Sequence, residues 1–580
     1  MNSSTMLEAM RRVAERPPDI GVRFHSSPNN SNLMSYRDLD RTARHDAVVL
    51  WNAGWRPGER VLLAFDAGLD FLRGLYAAFY AGLTVVPVPV PVSRNASAVR
   101  ERILAIAKDS GSNLVLTTPQ VLESIGGLDV KLSSLYLCDP VGEDYSADWF
   151  APPTKPVDVA VIQYTSGSLG TPKGVIVSHS NLLANQRGIE YMAGFGAGTV
   201  LVGWLPHYHD MGLGLFMQSI FGGFALVITS PSQFLRRPLL WLQLISKYRA
   251  TATVAPDFAY KLCTQLVTEA QLRELDLSSL TTAITGAEPV RWHTLYRFAA
   301  RFAPAGFTEG SFMPAFGMAE TTLLVSAKRS NVPVRPLYVD AGDLERGVVT
   351  PVGSGKSLTL VPCGPPAPEH HIAIVDRATW TLAEPNTVGE IWVSGPSVAQ
   401  GYWNRADQTA EVFGARLPGS DRAYLRTGDL GFLAEDGIVV TGRLKDLIII
   451  RGRNIAPSDL EIACSDLLAT SAGAGAVAFE WDENAVVVVA EAAGPSTVQI
   501  ENRAENARRQ LADDFSLEPL SLVIVRRGGI PRTTSGKVRR AATRDRLIAG
   551  SLPVVLTVGP SVTPHTRLTR SEFFTKQVAR

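Results

Sequence analysis

One short stretch of the sequence concentrates donors for phosphate oxygens. Residues 164–174 read YTSGSLGTPKG, combining glycines, hydroxyl residues and a lysine without an acidic group. A strand-like run, VAVIQ, precedes it and a helix-like run, NLLANQRGIEYM, follows, which predicts a Gly-rich turn between a strand and a helix. Such a turn directs several backbone N–H groups into one concavity that suits a polyphosphate. The candidate phosphate-binding residues are Thr165, Ser166, Gly167, Ser168, Gly170, Thr171 and Lys173.

Four further strings carry groups that suit a nucleotide. In chain order they are TGAEPV (285–290), PAFGMAE (314–320), YLRTGDLG (424–431) and PRTTSGKVRR (531–540). Phe316 offers a ring that can stack on a base, and Glu320 offers a carboxylate for a hard cation. Asp429 can accept hydrogen bonds from a ribose diol, and Lys537 lies in a Gly-containing loop. Each string alone is more often a turn or a salt bridge, so their order and spacing carry the information.

A histidine pair allows a different chemistry. WLPHYHDMGL (204–213) brings His207, His209 and Asp210 together, which is a pattern that occurs in metal hydrolases. No second cluster in the sequence supplies the remaining ligands. A segment that lines a pocket between a strand and an apolar helix is therefore the favoured interpretation.

Composition indicates an ordinary globular protein. The 580 residues include 46% hydrophobic and 19% charged residues, and the net charge of +1 gives no electrostatic case for binding nucleic acid. The four cysteines lie far apart, so we expect buried free thiols and a cytoplasmic protein. Two charge-free runs, Gly74–Ser93 and Met211–Leu235, are interrupted by glycine and proline, which argues against transmembrane segments.

The elements that must position these residues follow an alternating pattern. From about Val157 to Val325, short Val/Ile-rich runs such as FALVIT (224–229) alternate with helix-periodic stretches. This pattern predicts an α/β fold, with a large N-terminal domain of doubly wound, mostly parallel sheets and helices. Near residue 445 the pattern changes, which predicts a smaller, mobile α+β C-terminal domain. The expected divisions are 1–445, 446–552 and a tail at 553–580 that has no clear periodicity.

Together the motifs resemble the acyl-adenylate-forming superfamily, which contains acyl-CoA synthetases, peptide-synthetase adenylation domains and luciferases. The resemblance covers nearly the whole chain and implies ATP and Mg²⁺ as cofactors. It implies that loop 165–174 binds the leaving pyrophosphate and that Asp446 is the hinge. The implied catalytic residues are Lys537, Glu320 and His209. The resemblance implies that the adenine is bordered by Gly286, Ala287, Glu288, Phe316, Gly317 and Met318. It also implies that Asp429 and Arg443 bind the ribose and that Glu320 and Thr165 bind the metal. Two positions depart from the family pattern, Leu169 in SGSLG and Ala319 before Glu320.

The length of one segment indicates which branch of the acyl-adenylate-forming superfamily the chain resembles. About fifty residues separate Glu320 from the strand HIAIVD (371–376). This is more than the resemblance to acyl-CoA synthetases implies, and the additional residues lie within 328–360. This feature resembles fatty acyl-AMP ligases, although that branch often has Asn where Asp257 stands. The resemblance implies a fatty acid substrate and acyl transfer to an acyl carrier protein, or to a carrier domain of a polyketide or nonribosomal-peptide synthase. The alternative is a fatty acyl-CoA synthetase, which shares the first half-reaction.

Overall fold

The computed structural model describes most of the chain as two compact units. The described residues are 3–90, 96–127, 133–137, 144–165, 172–353, 357–450, 453–468, 474–482, 485–491, 497–515, 517–532, 538–560 and 562. Unit 1 is Met1–Leu444 and unit 2 is Lys445–Arg580.

Unit 1 contains most of the strands and helices. Its strands are β1 (Gly21–Ser27), β2 (Asn30–Ser35), β3 (Arg60–Ala64), β4 (Thr84–Pro87), β5 (Leu114–Thr117), β6 (Ser133–Tyr136), β7 (Val159–Thr165), β8 (Lys173–Ser178), β9 (Val200–Gly203), β10 (Ala225–Thr229), β11 (Ala252–Ala255), β12 (Thr282–Thr285), β13 (Phe312–Gly317), β14 (Leu324–Ala327), β15 (Leu337–Val339), β16 (Leu358–Leu360), β17 (His371–Val375), β18 (Gly389–Ser394), β19 (Phe413–Ala415), β20 (Tyr424–Ala434) and β21 (Gly437–Arg443). Its helices are α1 (Met6–Val13), α2 (Tyr36–Asn52), α3 (Leu69–Tyr80), α4 (Ala96–Ser110), α5 (Pro119–Ser124), α6 (His179–Ala193), α7 (Asp210–Gly222), α8 (Pro231–Arg236), α9 (Leu239–Tyr248), α10 (Asp257–Leu266), α11 (Glu269–Leu272), α12 (Trp292–Phe302), α13 (Ala341–Glu345) and α14 (Ala406–Val412).

The largest sheet that the structure describes in unit 1 has eight strands. Its order is β14-β13-β12-β11-β9-β10-β1-β2, and only the outermost pairs, β13–β14 and β1–β2, are antiparallel. The run FALVIT forms β10, which lies between the parallel strands β1 and β9, as its uninterrupted apolar character predicts. The α/β fold class predicted from the alternating pattern is confirmed.

A six-stranded sheet carries the candidate phosphate loop, and here one prediction is wrong. Its order is β6-β5-β3-β4-β7-β8, and β7 pairs with β8 in antiparallel fashion. The loop therefore joins two strands, and α6 begins only at His179, after β8. KGVIVS adopts the strand because its β-branched residues pack on the sheet beside β7. The N-terminus of α6 is fixed separately by a capping box between Ser178 and Asn181.

The third sheet of unit 1 supports the inserted segment. Strands β17, β18, β20 and β19 pair in that order, and β21 pairs with β20. Within the insertion, β15 pairs with β16, and the buried Val339 and Val349 pack against Phe432 and Val439 of β20 and β21. The insertion is thus part of the hydrophobic core of unit 1.

Unit 2 is a small α+β fold, and it corrects the predicted tail. Its elements are β22 (Ile448–Ile450), β23 (Arg453–Ile455), α15 (Pro457–Leu467), β24 (Ala476–Asp482), β25 (Ala485–Glu491), α16 (Thr497–Asp514), β26 (Leu520–Val525), α17 (Arg540–Ile548) and β27 (Val554–Val558). Part of the stretch assigned to a tail is β27, which pairs with β26 as an edge strand of the sheet. Its sequence, VVLTV, is β-branched and short, and pairing with β26 satisfies its backbone groups.

Two expectations from composition can be compared with the structure. Cys263, Cys363 and Cys464 are buried free thiols, while Cys138 lies outside the described residues. Among the described residues, no helix combines the length and the apolar character that crossing a membrane would require.

Candidate functional site

The candidate site lies at one edge of the eight-stranded sheet. Strands β9, β11, β12 and β13 are parallel neighbours, so the segments that follow them leave at the same edge. These segments contain His209, Asp257, Glu288 and Glu320. In open α/β sheets this is the edge where ligands bind.

The base of the phosphate loop is fixed by strand pairing. Thr165 and Lys173 are Cα partners at the ends of β7 and β8. At Gly174, an added Cβ would lie only 2.6 Å from Ile162 Cγ2, so a larger residue would displace the packing beside the loop. The loop residues Ser166, Gly167, Ser168, Gly170 and Thr171, and also Leu169, lie outside the described residues.

Residues 400–403 extend the sheet beyond β8 and reach the loop base. Ile176 N donates to Gly401 O at 2.9 Å, and Trp403 N donates to Gly174 O at 2.7 Å. This pairing places the ring of Tyr402 5.0 Å from the Lys173 ammonium, within range of a cation–π contact.

Tyr402 also contacts Glu320, the acidic residue of PAFGMAE (314–320). Its hydroxyl donates to Glu320 Oε1 at 2.8 Å, and the backbone oxygen of Glu320 accepts from Ala399 N at 2.9 Å. Removal from water raises the pKa of Glu320, while the hydrogen bond from Tyr402 and the charge of Arg443 oppose that rise. A desolvated carboxylate of this kind gains stability from a nearby cation.

Asp429 and Arg443 form an ion pair on neighbouring strands. They are Cα partners on β20 and β21, and Arg443 Nε donates to Asp429 Oδ1 at 2.8 Å. Asp429 is nearly buried, and its backbone N donates to Thr427 Oγ1 at 3.0 Å. The charge of Arg443 also opposes the rise in the pKa of Glu320, so the Asp429–Arg443 pair lies within electrostatic range of Glu320.

The adenine motif is shaped by close backbone approaches. Ala287 has a φ of 66°, and an added Cβ on Gly286 would lie 2.8 Å from Ala315 O. An added Cβ on Gly317 would meet Leu323 O at 1.8 Å, so only glycine fits there. The chain packs closely against itself here, because neighbouring carbonyl oxygens occupy the space that a Cβ would need.

Two residues of this motif already have structural contacts. Glu288 Oε1 accepts from Phe258 N at 2.6 Å, in the first turn of α10. Phe316 packs in an apolar cluster with Val325 and Ile374 and is only 8% exposed. Little of its ring is therefore accessible to a ligand, and stacking on a base stays a prediction.

The histidine motif separates into two environments. His209 is the N-cap residue of α7 and is half-buried at the sheet edge. His207 is buried against Phe71, with ring centroids 4.1 Å apart, and burial lowers its pKa to about 3. Among the described residues no group of three His, Cys, Asp or Glu side chains can hold a metal, so this part of the chain offers no support for the hydrolase alternative.

A cavity of about 20 Å³ lies beside α7. Its lining includes Gln163, Leu213, Gly214, Met217 and Thr322. This volume suits a single water molecule and is too small for an acyl chain.

The buried Asp257 has a structural role. It accepts from Arg291 N at 3.0 Å and from Thr294 Oγ1 at 2.9 Å, which caps the first turn of α12 from outside the helix. The position where the resembling branch often has Asn thus holds a carboxylate with satisfied hydrogen bonds.

The remaining predicted residues lie in or beside unit 2. Asp446 forms a 2.8 Å ion pair with Arg540 at the start of α17. Lys537 lies outside the described residues. Tyr402 was missed by the sequence analysis, because nothing in GYWNR marks it as a partner of Glu320.

A comparison with family models matches residues 10–403 to the model described as AMP-binding enzyme. The chain belongs to this family. That membership agrees with the order of the motifs and with their convergence at one sheet edge, and enzymes of this adenylate-forming family use ATP.

Individual relatives are similar over nearly the whole chain. The medium-chain-fatty-acid–[acyl-carrier-protein] ligase JamA of Moorena producens is 38% identical, with 90% of this chain and 91% of JamA covered. The putative fatty-acid–CoA ligase FadD21 of Mycobacterium tuberculosis is 35% identical, with 84% of this chain and 87% of FadD21 covered. A crystal structure of the fatty acyl-adenylate ligase from Legionella pneumophila, in complex with acyl adenylate and pyrophosphate, is 33% identical, with a TM-score of 0.75 and coverages of 96% and 98%.

Proposed function

We propose that this protein is a fatty acyl-AMP ligase. It activates a fatty acid with ATP to fatty acyl-AMP and releases pyrophosphate. It then transfers the acyl group to the phosphopantetheine thiol of an acyl carrier protein, with AMP as the leaving group. The observation that carries the proposal is the cluster in which Tyr402 holds Glu320, beneath Lys173 and within electrostatic range of Arg443. This cluster brings together residues from three sheets: Lys173 of β8, Glu320 after β13, and Arg443 of β21.

In this proposal, residues of the chain promote the first half-reaction. A fatty carboxylate is repelled by the negative charge of ATP, so the site must neutralise charge and align the attacking oxygen with the α-phosphorus. Lys173 and the N–H groups of its loop would bind the β- and γ-phosphates, and Asp429 would accept hydrogen bonds from the ribose. Lys537 would stabilise the charge that develops at the α-phosphate. The new C–O–P bond forms as the bond to pyrophosphate breaks.

Magnesium fits the groups that are present. Mg²⁺ usually binds one or two protein carboxylates and completes its coordination with substrate phosphates and water. Glu320 supplies one such carboxylate, desolvated and oriented by Tyr402, and Thr165 lies at the loop base. When bound, the ion would supply positive charge that screens the phosphates.

The acceptor is proposed from the relatives and the insertion. JamA is named a ligase for an acyl carrier protein, and residues of the segment 328–360 contribute to the core of unit 1 in this chain. We place the reaction in the cytoplasm, in the assembly of a polyketide or nonribosomal-peptide lipid. The acyl-CoA synthetase remains the second candidate because FadD21 carries a CoA ligase name.

One experiment separates these functions. The protein is incubated with ATP, Mg²⁺ and labelled fatty acids, with either CoA or a holo acyl carrier protein, and the products are identified by mass spectrometry. We expect acyl-AMP and pyrophosphate in every reaction, acylated carrier protein, and little acyl-CoA. Rapid conversion to acyl-CoA would favour the second candidate, and absence of acyl-AMP with every fatty acid would overturn the proposal.

A further inference from the structure

A buried carboxylate in unit 2 contacts the chain just before the segment that carries Lys537. Glu491 is the last residue of β25, and its side chain is 1% exposed. Its Oε1 accepts from Ile530 N at 3.1 Å, and its Oε2 accepts from Gly475 N at 3.0 Å. Arg532 Nη2 donates to the same Oε2 at 3.2 Å.

These bonds fix the chain that leads into the Lys537 segment. Ile530 and Arg532 are two residues apart and donate to different oxygens of Glu491, Ile530 through its backbone N and Arg532 through its guanidinium. Arg532 then pairs with Val538 in an isolated antiparallel bridge. Lys537 directly precedes Val538, so the chain positions on both sides of its segment are tied together.

Further contacts join the chain on the two sides of the segment that carries Lys537. An added Cβ on Gly475 would lie 2.5 Å from Arg532 Nη2, so a larger residue there would require the guanidinium to shift. On the other side of the segment, Arg539 N donates to Pro531 O at 2.8 Å. Arg540 then anchors α17 through Glu461 at 2.7 Å.

We propose that Glu491 is a positioning residue for Lys537, which it holds in place through Arg532 and Ile530. This inference rests on the proposed function, in which Lys537 acts in adenylation. A charged group buried without solvent is costly unless it is fully paired. Glu491 is paired with Arg532 and also accepts from the backbone N–H groups of Ile530 and Gly475. Since Ile530 and Arg532 precede the segment that carries Lys537, these bonds fix the chain on the N-terminal side of that segment.

The test separates positioning from general stabilisation by measuring both half-reactions. Adenylation is followed by ATP–pyrophosphate exchange, and acyl transfer is followed from synthetic acyl-AMP to the holo carrier protein, with rates expressed per folded molecule. For Glu491→Gln we expect adenylation to fall between about tenfold and about a hundredfold, the scale for a misplaced catalytic group. Acyl transfer should stay within about twofold of the parent.

Combining substitutions provides a second readout. If Glu491 acts through Lys537, adding Glu491→Gln to Lys537→Ala should cause no further loss of adenylation. Glu505→Gln is the matched control in unit 2, because Glu505 pairs with Arg508 and Arg509 on the surface of α16. Its adenylation rate should equal that of the parent.

Three results would overturn the inference: parent-like adenylation by Glu491→Gln, an equal fall in both half-reactions, or an additive loss in the double variant. If Glu491→Gln does not fold, Arg532→Lys serves instead, since it keeps the charge but loses the guanidinium geometry. It should show the same selective loss, and parent-like adenylation by Arg532→Lys would also overturn the inference. A parent protein that forms no acyl-AMP would refute the proposed function itself, so the two failures are distinguishable.

Discussion

The buried histidine of WLPHYHDMGL (204–213) predicts a specific dependence of stability on pH. His207 is 2% exposed and packs against Phe71, and burial lowers its pKa to about 3. In the unfolded chain a histidine titrates near 6.5. Between these two values the unfolded chain binds a proton that the folded protein does not. The free energy of unfolding therefore rises with pH over this range, and this contribution is complete above about pH 6.5.

The magnitude follows from the width of that range. Each pH unit within it changes the unfolding free energy by about 1.4 kcal/mol for one group. Lowering the pH from neutral to about 5 should thus cost about 2 kcal/mol through His207 alone. In His207→Phe the aromatic contact is retained and the titrating group is lost. This variant should lose about 2 kcal/mol less than the parent over the same interval.

The assay is urea unfolding followed by tryptophan fluorescence at several pH values, analysed for the transition of unit 1. Trp204 and Trp241 lie in the buried core of that unit and report on its unfolding. His179 contributes a slope of the same sign, because burial lowers its pKa to about 4, so the parent and the variant must be compared directly. His371→Phe changes an exposed histidine and is the control. Equal losses for the parent and His207→Phe would refute a neutral, buried imidazole at this position.

Four further substitutions test the site. Lys537→Ala should leave ATP binding measurable by calorimetry but slow acyl-AMP formation by about two orders of magnitude, because it removes a charge-stabilising group; near-normal synthesis would contradict the assignment. Asp429→Ala should raise the KM for ATP by about tenfold or more by removing a charged hydrogen-bond acceptor, and an unchanged KM would exclude ribose binding. Tyr402→Phe removes the hydrogen bond that orients Glu320, which is worth about 1.5–3 kcal/mol, and should therefore raise the Mg²⁺ concentration needed for half-maximal ATP binding. The control Tyr296→Phe changes an exposed tyrosine and should leave that concentration unchanged. Asp446→Pro should slow one half-reaction more than the other because proline fixes φ, and equal small effects in the two assays would argue against a hinge.

The sequence predicts elements with a strong local pattern and misses contacts between distant segments. The parallel strand at FALVIT could be predicted because its apolar run and its flanking turns are local signals. KGVIVS was overlooked as a strand because its stability depends on pairing with β7, which the local pattern does not show. Tyr402 and Glu320 are 82 residues apart, and Glu491 and Arg532 are 41 apart. Only the folded chain brings either pair into hydrogen-bonding distance.

The inserted segment 328–360 is visible in the sequence by its length, but its contacts with distant strands are not. Those contacts also affect any experiment that removes the segment. Its position is visible in the chain, but its buried residues are not, since Val339 and Val349 are nearly inaccessible whereas Val332 and Val348 are 48% and 44% exposed. Replacing the segment with a short Gly/Ser bridge would uncover Phe432 and Val439, which are 2% and 0% exposed. At about 1.5–3 kcal/mol for each buried side chain, unit 1 would lose about 3–6 kcal/mol before any effect on catalysis. A change in the ratio of acyl-CoA to acylated carrier protein in such a variant can therefore be attributed to the insertion only when both rates are expressed per folded molecule.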